Sequence, residues 1–580
     1  MKLKYLFIGS MIGCGGLTAC QDQLDFNEYA NYDKNYMMES YENVGGLVTS
    51  IYAQLDSDWG NYGGATLASA CDEAEYAWTS SSVHDFYNGS WSATNTISNW
   101  SKNYLAIQQC NMYLEEFLGL TFPDLRLNSD YDAQMFRYNN YEHEVRFLRA
   151  YFYFNLARQY GDVPLVTKVP SGDEVNSLKR TSVQEVFQFI EDECDAIMDK
   201  IPADYTKLGD YALPTEQPET GRANRLAVLA LKARTALYAA SELFNPEQKK
   251  DLWKKAAETS KAVIDSCAKY GYKLGNYDKL WGADSYRENE MIFLCRAEKE
   301  SNSFETNNFP IGVEGGKGGN CPTQTLVDAY EMTNGKFWNE PGSGYSEEPG
   351  SDPYANRDPR LAMTIAKNGD TNWPSYNKSA LQVYYGGANG QPLEGATPTG
   401  YYLKKYCDAS INLTASSSNK KFHSWIIFRL GEFYLNYAEA MFRYTGDVEQ
   451  VLPGDKSPLT AREAVNVIRQ RTGVKMPELQ ADDVSDPEVF WKRYKNERMV
   501  ELAFEGHRFW DVRRWMIAEQ EGVMSGAMYG IKIYWINSSP QEFRYTPYLY
   551  ENRTFTKKMY LHPFSTNEVN KGYLIQNPGY

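Results

Sequence analysis

Apolar residues recur at helical spacing in four separated regions of the chain. In each region a stripe of apolar residues advances by steps of three and four, which predicts an amphipathic helix. A Gly or an Asn-Pro pair then ends the stripe, and a second helical segment follows. The predicted pairs are Val145–Leu156 with 183–198, Leu226–Phe244 with Leu252–Cys267, Leu430–Met441 with 459–474, and 490–506 with 507–515.

The second helix of the third pair carries a start signal. Thr460 is followed three residues later by Glu463, the spacing of a capping box. We therefore expect this helix to begin directly after Thr460.

The segments between the helix pairs have a different amino-acid composition. The interval from about Tyr270 to Ser424 is rich in Gly, Asn, Pro and Tyr, and residues 60–99 are similar. This composition predicts long loops and short strands. The Ala and aromatic positions of the helix pairs resemble those of tetratricopeptide repeats. The sequence thus predicts a mainly α fold: a tetratricopeptide-like scaffold of about four pairs, with an irregular loop-rich half carrying short strands.

The N-terminus has the layout of an export signal. Lys2 and Lys4 precede an uncharged run, which is too short to span a bilayer. Leu17-Thr18-Ala19-Cys20 resembles the lipobox of bacterial lipoproteins, so we predict a signal peptide over residues 1–19 and lipidation of Cys20. The alternative is an ordinary signal peptide cut after Ala19. Two acyl chains on Cys20 would anchor the chain stably to a membrane.

Charge and composition narrow the class of partner. The formal net charge of −16 argues against nucleic acid, whose binding proteins are basic. The 45 Tyr, 26 Phe and 13 Trp residues favour a carbohydrate partner, because such rings stack on apolar sugar faces while their polar edges bond hydroxyls. The alternative is that these rings fill a large helical core.

The sequence contains no motif that predicts a metal or a cofactor. The nine Cys residues include no CxxC pair, and the five His residues show no metal-ligand spacing. The glycine-rich segment around Lys317 does not match a phosphate-binding loop, and no GxSxG motif is present. We predict no metal and no cofactor.

One carboxylate pair raises the possibility of glycoside cleavage. Glu501 and Glu505 lie four residues apart, on one face of a helix. Arginines close in sequence, among them Arg498 and Arg508, would keep both carboxylates ionised, whereas a general acid needs a raised pKa. The sequence therefore favours a salt-bridged structural network over catalysis.

Six segments together resemble the SusD/RagB family of outer-membrane lipoproteins from Bacteroidetes. They are EVRFLRAYFYFNLARQYGDVPLV, RANRLAVLALKARTALYAA, NRDPRLAMTI, IIFRLGEFYLNYAEAMFRYTGD, ERMVELAFEGHRFWDVRRW and the terminal QNPGY. They follow the family's order over nearly the whole chain. The resemblance implies a SusD-like N-terminal region over residues 20–220 and a RagB/SusD C-terminal region over 221–580, with long insertions at about 270–424.

The resemblance also implies a function and a partner. Family members are lipid-anchored at the outer membrane, face the exterior, and capture glycan without cleaving it for a TonB-dependent (SusC-like) transporter. Gln21, Asp22 and Asp25 are similar to the acidic stretch that directs such lipoproteins to the cell surface. The alternatives are a peptide-capturing scaffold lipoprotein and, less favoured, a surface glycosidase.

Candidate glycan contacts follow from where family members present rings and polar side chains. In the N-terminal loop segment these are Asp72, Tyr76, Trp78, Trp91 and Asn95, and in the insertions Phe309, Asn320, Arg360 and Tyr385. Rings of this set would stack on sugars, and the polar groups would bond neighbouring hydroxyls. Two have structural alternatives: Arg360 as a loop cap within DPRL, and Asp72, with Glu73, as a helix terminator.

Overall fold

The computed structural model describes residues 34–175, 177–213, 219–348, 350–539 and 541–580. The predicted signal peptide, Cys20 and the acidic stretch after it lie outside these ranges. The protein is 41% helix and 11% strand, which confirms the mainly α class. Within the described ranges, no helix combines the length and the apolar character needed to cross a membrane.

The helices are distributed along the whole described part of the chain. In chain order they are α1 (Lys34–Glu39), α2 (Tyr41–Tyr52), α3 (Trp100–Glu116), α4 (Tyr131–Tyr160), α5 (Gly172–Val175), α6 (Val183–Ile197), α7 (Arg225–Ala240), α8 (Lys250–Tyr270), α9 (Ser303–Asn308), α10 (Gln324–Ala329), α11 (Pro359–Thr364), α12 (Leu430–Thr445), α13 (Ala461–Arg469), α14 (Pro487–Glu501), α15 (Arg508–Arg514) and α16 (Thr566–Val569).

The predicted helix pairs form the scaffold. α4 packs on α6, α7 on α8, and α12 on α13, while α12 also contacts α8 and α14 and so joins the pairs. α14 and α15 are linked by an ion pair in which Arg498 Nε lies 2.7 Å from Asp511 Oδ2. The capping box at Thr460 and Glu463 is present at the start of α13, as predicted. The tetratricopeptide-like scaffold is therefore confirmed.

The strands form two-stranded antiparallel sheets. They are β1 (Ala74–Tyr76), β2 (Met291–Arg296), β3 (Asn320–Pro322), β4 (Ile365–Ala366), β5 (Tyr402–Leu403), β6 (Ser424–Arg429), β7 (Gly526–Ser538) and β8 (Gln541–Arg553). The pairs are β1 with β3, β2 with β6, β4 with β5, and β7 with β8. Since β1 belongs to the N-terminal loop segment and β3 to the insertion, their pairing brings the two loop regions together.

A buried network of charges fastens α14 to the rest of the molecule. Arg360 Nη1 lies 2.6 Å from Glu497 Oε1 and 3.0 Å from Glu501 Oε2. Glu501 also accepts from Arg429 and Arg471. Burial raises the pKa of Glu501, but these three arginines outweigh that effect and bring it to about 2. The structural interpretation of Glu501 from the sequence therefore agrees with its surroundings.

Candidate functional site

The long hairpin of β7 and β8 projects aromatic side chains from the loop-rich half. Ile533 lies opposite Tyr545 and Trp535 opposite Phe543 in the register of the two strands. Ile531 and Ile533 are buried, whereas Tyr529 and Trp535 are exposed. Backbone hydrogen bonds of 2.8 Å, from Ile531 N to Thr399 O and from Tyr385 N to Ile533 O, hold β7 to the insertion loops.

A groove of about 580 Å³ lies between this hairpin, α10 and the loop residues 338–348 and 351–353. We call it the hairpin groove. Its aromatic lining comprises Trp338, Tyr345, Tyr529, Phe543 and Tyr545. This volume falls in the range of small-molecule and oligosaccharide-sized sites, and the lining combines rings with a few polar groups, as binding clefts do.

Neighbouring rings fix the aromatic side chains of the groove. Trp338 and Tyr345 meet edge to face, with ring centroids 5.2 Å apart and an interplanar angle of 65°. Tyr545 makes a perpendicular contact with buried Tyr354 at 5.7 Å. Because these contacts restrict the rings before any ligand arrives, less rotamer entropy is lost on binding.

The charged side chains of the groove are predominantly acidic. Burial raises the pKa of Asp328 to about 6, although Gln324 and Arg357 act in the opposite direction. Gln324 Nε2 donates to Asp328 Oδ1 at 2.7 Å. Glu347 and Glu348 are exposed acids of the groove lining, and Arg544 is the basic one. The groove thus offers acceptors for hydroxyl groups and little to attract an anion.

A second aromatic cluster lies beside the groove and contains one of the predicted contacts. Tyr385 is 51% exposed, and its ring centroid lies 6.4 Å from that of Tyr534. Lys532 Nζ lies 5.4 Å from the Tyr385 ring centroid and 5.5 Å from that of Tyr548. We call Tyr385, Lys532, Tyr534 and Tyr548 the tyrosine patch. It is accessible, and its rings are oriented by a cation.

Trp78 and Asn95 lie at or near the surface. Trp78 is half-buried and donates from Nε1 to the Lys317 carbonyl at 2.8 Å. Its ring packs so closely on Gly395, at φ +74°, that a Cβ there would come within 2.4 Å of a ring carbon. Asn95 is exposed and donates to Ser90 Oγ at 3.0 Å. Together with Tyr385, these two remain proposed ligand contacts.

The other six predicted contacts need correction, because the structure buries their side chains. Asp72, Tyr76, Trp91, Phe309, Asn320 and Arg360 each expose 4% or less. Tyr76 and Asn320 are brought together as register partners of β1 and β3, inside the molecule. None of the six is presented to a ligand on the surface.

Polar members of this buried set have structural partners. Asp72 pairs with Arg508. Asn320 Oδ1 accepts from Thr66 N at 2.9 Å and from Ser69 Oγ at 2.8 Å. Arg360 joins the charge network of α14, and Asp358 Oδ2 lies 2.7 Å from its Nη2. A buried polar group without a partner would cost free energy, so these bonds explain why the residues are tolerated inside.

The aromatic members are packed in the core. Trp91 meets His562 edge to face with centroids 4.8 Å apart, and Phe309 meets Trp373 at 5.7 Å. These two rings therefore fill the core, which is the alternative to carbohydrate binding given in the sequence analysis.

The sequence interpretation missed the hairpin groove. The available signal was the alternation of apolar and polar residues in IKIYWINSSPQEFRYTPYLY on either side of a Ser-Ser-Pro turn, which is typical of a hairpin. Trp338 and Tyr345 had no such signal, because their loop reaches the hairpin only through the tertiary fold.

The acidic pair of the sequence analysis is held in ion pairs inside the fold. Glu501 and Glu505 are buried, and burial is outweighed for both by paired cations that lower their pKa values. In the part of the chain that the structure describes, no group of three or more His, Cys, Asp or Glu side chains is arranged to hold a metal ion.

Family models match most of the chain. The model described as the SusD family matches residues 289–580, and a model described as "Starch-binding associating with outer membrane" matches residues 23–237. SusD-like protein P25 of Formosa agariphila is 24% identical over 403 residues, which is 64% of this chain. The chain spans 63% of the length of that relative.

Solved structures share the fold over nearly the full length. A SusD-like protein from Bacteroides fragilis has 27% identity and a TM-score of 0.74, covering 95% of this chain and 99% of its own. A SusD-like carbohydrate binding protein from the same species has 22% identity and a TM-score of 0.70, covering 92% and 99%. At 22% identity, the second comparison shows only that the two proteins share a fold.

Proposed function

Because the chain belongs to the SusD family, we propose that it is a non-catalytic glycan-binding protein of the outer membrane and that the hairpin groove holds the glycan. The observation that carries the proposal is the groove itself: five aromatic side chains and several acceptor groups line one cleft on the loop-rich half. The description of the family model that matches residues 23–237, "Starch-binding associating with outer membrane", supports the same class of ligand.

The chemistry of the groove suits sugars. The apolar C–H faces of a pyranose pack on rings such as Trp338 and Tyr529, while carboxylates such as Asp328 accept hydrogen bonds from its hydroxyls. Each ring contributes on the order of 1 kcal/mol. A few such contacts give weak binding, which suits a protein that must release its ligand to a transporter.

The location and the partner are part of the proposal. The lipobox at Leu17 to Cys20 supports a lipid anchor at the outer membrane, and the acidic residues after Cys20 support an orientation towards the exterior. We propose a TonB-dependent (SusC-like) transporter as the partner that receives the glycan. Replacing Cys20 with Ala should move the protein from the membrane fraction to the soluble fraction and leave glycan affinity in solution unchanged.

The direct test is affinity electrophoresis of the purified protein through gels that contain individual polysaccharides. Retardation by at least one neutral glycan is expected, with no release of reducing ends. Absence of retardation across a broad panel, together with calorimetric binding of peptides, would favour the peptide-capturing alternative. Release of reducing ends that is lost in Glu501→Gln would instead indicate a glycosidase.

A further inference from the structure

A second pocket opens among the helices of the scaffold, apart from the hairpin groove. It encloses about 320 Å³ between the loop after α2, the start of α3, and α4, α7, β6 and the segment before α15. Asn61, Ser82 and Ser98 in its lining are exposed, so the pocket reaches the surface there. Tyr238 and Trp510 in its lining are buried and form its inner wall. We call it the scaffold pocket.

Several polar groups that line the scaffold pocket have no hydrogen-bond partner among the residues that the structure describes. They are the hydroxyls of Tyr62 and Tyr238, the imidazole of His507 and the guanidinium of Arg158. The guanidinium of Arg158 instead stacks on the Trp510 ring at 4.6 Å. Among the lining atoms, Arg158 Nε and Asp58 Oδ1 are buried without a partner in the described part of the chain, and the two tyrosine residues and His507 line the same space. Buried polar groups usually have partners, so these groups together point to an occupant that bonds them.

The charges around the pocket favour a neutral occupant. Lys102 Nζ lies 3.1 Å from Asp56 Oδ1, and Glu432 neutralises Arg234. Arg158 remains, and the carboxyl of Asp58 lines the same pocket. Burial and the surrounding arginines hold the pKa of His507 well below its usual range, so its imidazole is neutral.

Glu505, the other acid of the lining, is paired with Arg429 and Lys405. A charged ligand of either sign would therefore meet like charges as well as opposite ones. A neutral ligand would not carry that cost.

The unpaired groups favour a ligand that carries several hydroxyl groups. Tyrosine hydroxyls and a neutral imidazole both donate and accept, and a guanidinium donates up to five hydrogen bonds. Trp425 and Trp510 supply apolar walls. At about 30 Å³ per water molecule the pocket has room for about ten waters, or for one six-carbon sugar and a few waters.

We propose that the scaffold pocket binds a small neutral polyhydroxylated molecule of monosaccharide size. This site shares no lining residue with the hairpin groove, and the proposal does not depend on what the groove binds.

The test uses the full protein, with D-glucose, D-galactose and D-mannose as probes in calorimetry and in crystal soaks. We expect at least one of them to bind with a dissociation constant on the order of 1 mM and to show density between Tyr62 and Tyr238. Tyr62→Phe and Tyr238→Phe should each weaken this binding about fivefold, because each removes one hydroxyl that bonds the ligand. D-glucuronate should bind more weakly than the neutral sugars.

Two controls keep the result interpretable. Both Phe variants should retain the thermal midpoint of the parent protein, because neither hydroxyl has a described protein partner. Trp338→Ala in the hairpin groove should leave monosaccharide binding unchanged. Ordered water alone in the pocket at saturating sugar, or sugar affinity that is unchanged in both Phe variants, would overturn the proposal.

Discussion

Asp72 and Arg508 form a buried, two-bond ion pair between residues that are 436 positions apart in the chain. Arg508 Nε donates to Oδ1 at 2.9 Å, and Nη2 donates to Oδ2 at 2.6 Å. This pair fastens the N-terminal loop segment to α15. It explains why an acid next to the aromatic loop has a structural role and is unavailable to a ligand.

The substitution Asp72→Asn should destabilise the fold. It leaves the Arg508 guanidinium buried without an opposite charge, which typically costs about 3–5 kcal/mol of the free energy of unfolding. Urea denaturation of the two proteins measures the difference. The exposed pair of Lys254 and Glu258 provides the control, and Glu258→Gln should leave the unfolding midpoint unchanged. Equal midpoints for Asp72→Asn and the parent would refute the role assigned to this pair.

The charge network around Glu501 should make the free energy of unfolding decrease at acidic pH. The folded-state pKa of about 2 lies below the ordinary glutamate value of 4.5. The ionised group therefore stabilises the fold by about 3 kcal/mol above pH 4.5, and this contribution is lost as the pH falls towards 2. Glu501→Gln should be less stable than the parent at neutral pH, and the two unfolding free energies should converge in acid. A gap that stays constant with pH would contradict this role for Glu501.

Asp328 should give glycan binding a pH dependence. Its pKa of about 6 means that the carboxylate becomes ionised as the pH rises through that value. An ionised carboxylate accepts stronger hydrogen bonds from hydroxyls, so affinity should increase between about pH 5 and pH 7. Calorimetry at several pH values measures this. Asp328→Asn should remove the dependence and Glu347→Gln should preserve it; an inflection that survives in Asp328→Asn would assign it to another group.

The acidic lining of the groove should discriminate between glycans by charge. Asp328, Glu347 and Glu348 face a single basic lining residue, Arg544. A neutral polysaccharide should therefore bind more tightly than its sulfated or uronate-rich counterpart, and added salt should narrow the difference because exposed charges are screened. Gel retardation at low and high salt measures it. Tighter binding of the anionic glycan at low salt would show that glycans bind outside the hairpin groove.

The helical half of the fold could be predicted from local pattern. The apolar stripe of α12 and the capping box of α13 are encoded within single turns of helix, so residues such as Leu430, Phe433, Thr460 and Glu463 suffice to place them. Four of the six segments that carry the family resemblance overlap scaffold helices, whose packing restricts their residues.

The site could be predicted only in part. Tyr385, which the family resemblance places in an insertion, is exposed as a ligand contact must be, and it stays a proposed contact. Asp72 and Arg360 were misjudged because each has an ionic partner far away in the chain. Arg508 is 436 residues from Asp72, and Glu497 is 137 residues from Arg360, and local sequence does not report such pairs. Trp338 was missed for the same reason: the groove forms where a loop meets a distant hairpin.

The central claim is that the hairpin groove captures glycan through its rings, and one pair of variants tests it most directly. Trp338 lines the groove, whereas Trp535 is an exposed tryptophan near the hairpin tip and outside that lining. By calorimetry with a bound glycan from the panel, Trp338→Ala should weaken affinity about fivefold, the loss of roughly 1 kcal/mol for one stacking ring, and Trp535→Ala should leave it unchanged. Unchanged affinity in Trp338→Ala, with loss in Trp535→Ala, would contradict the claim.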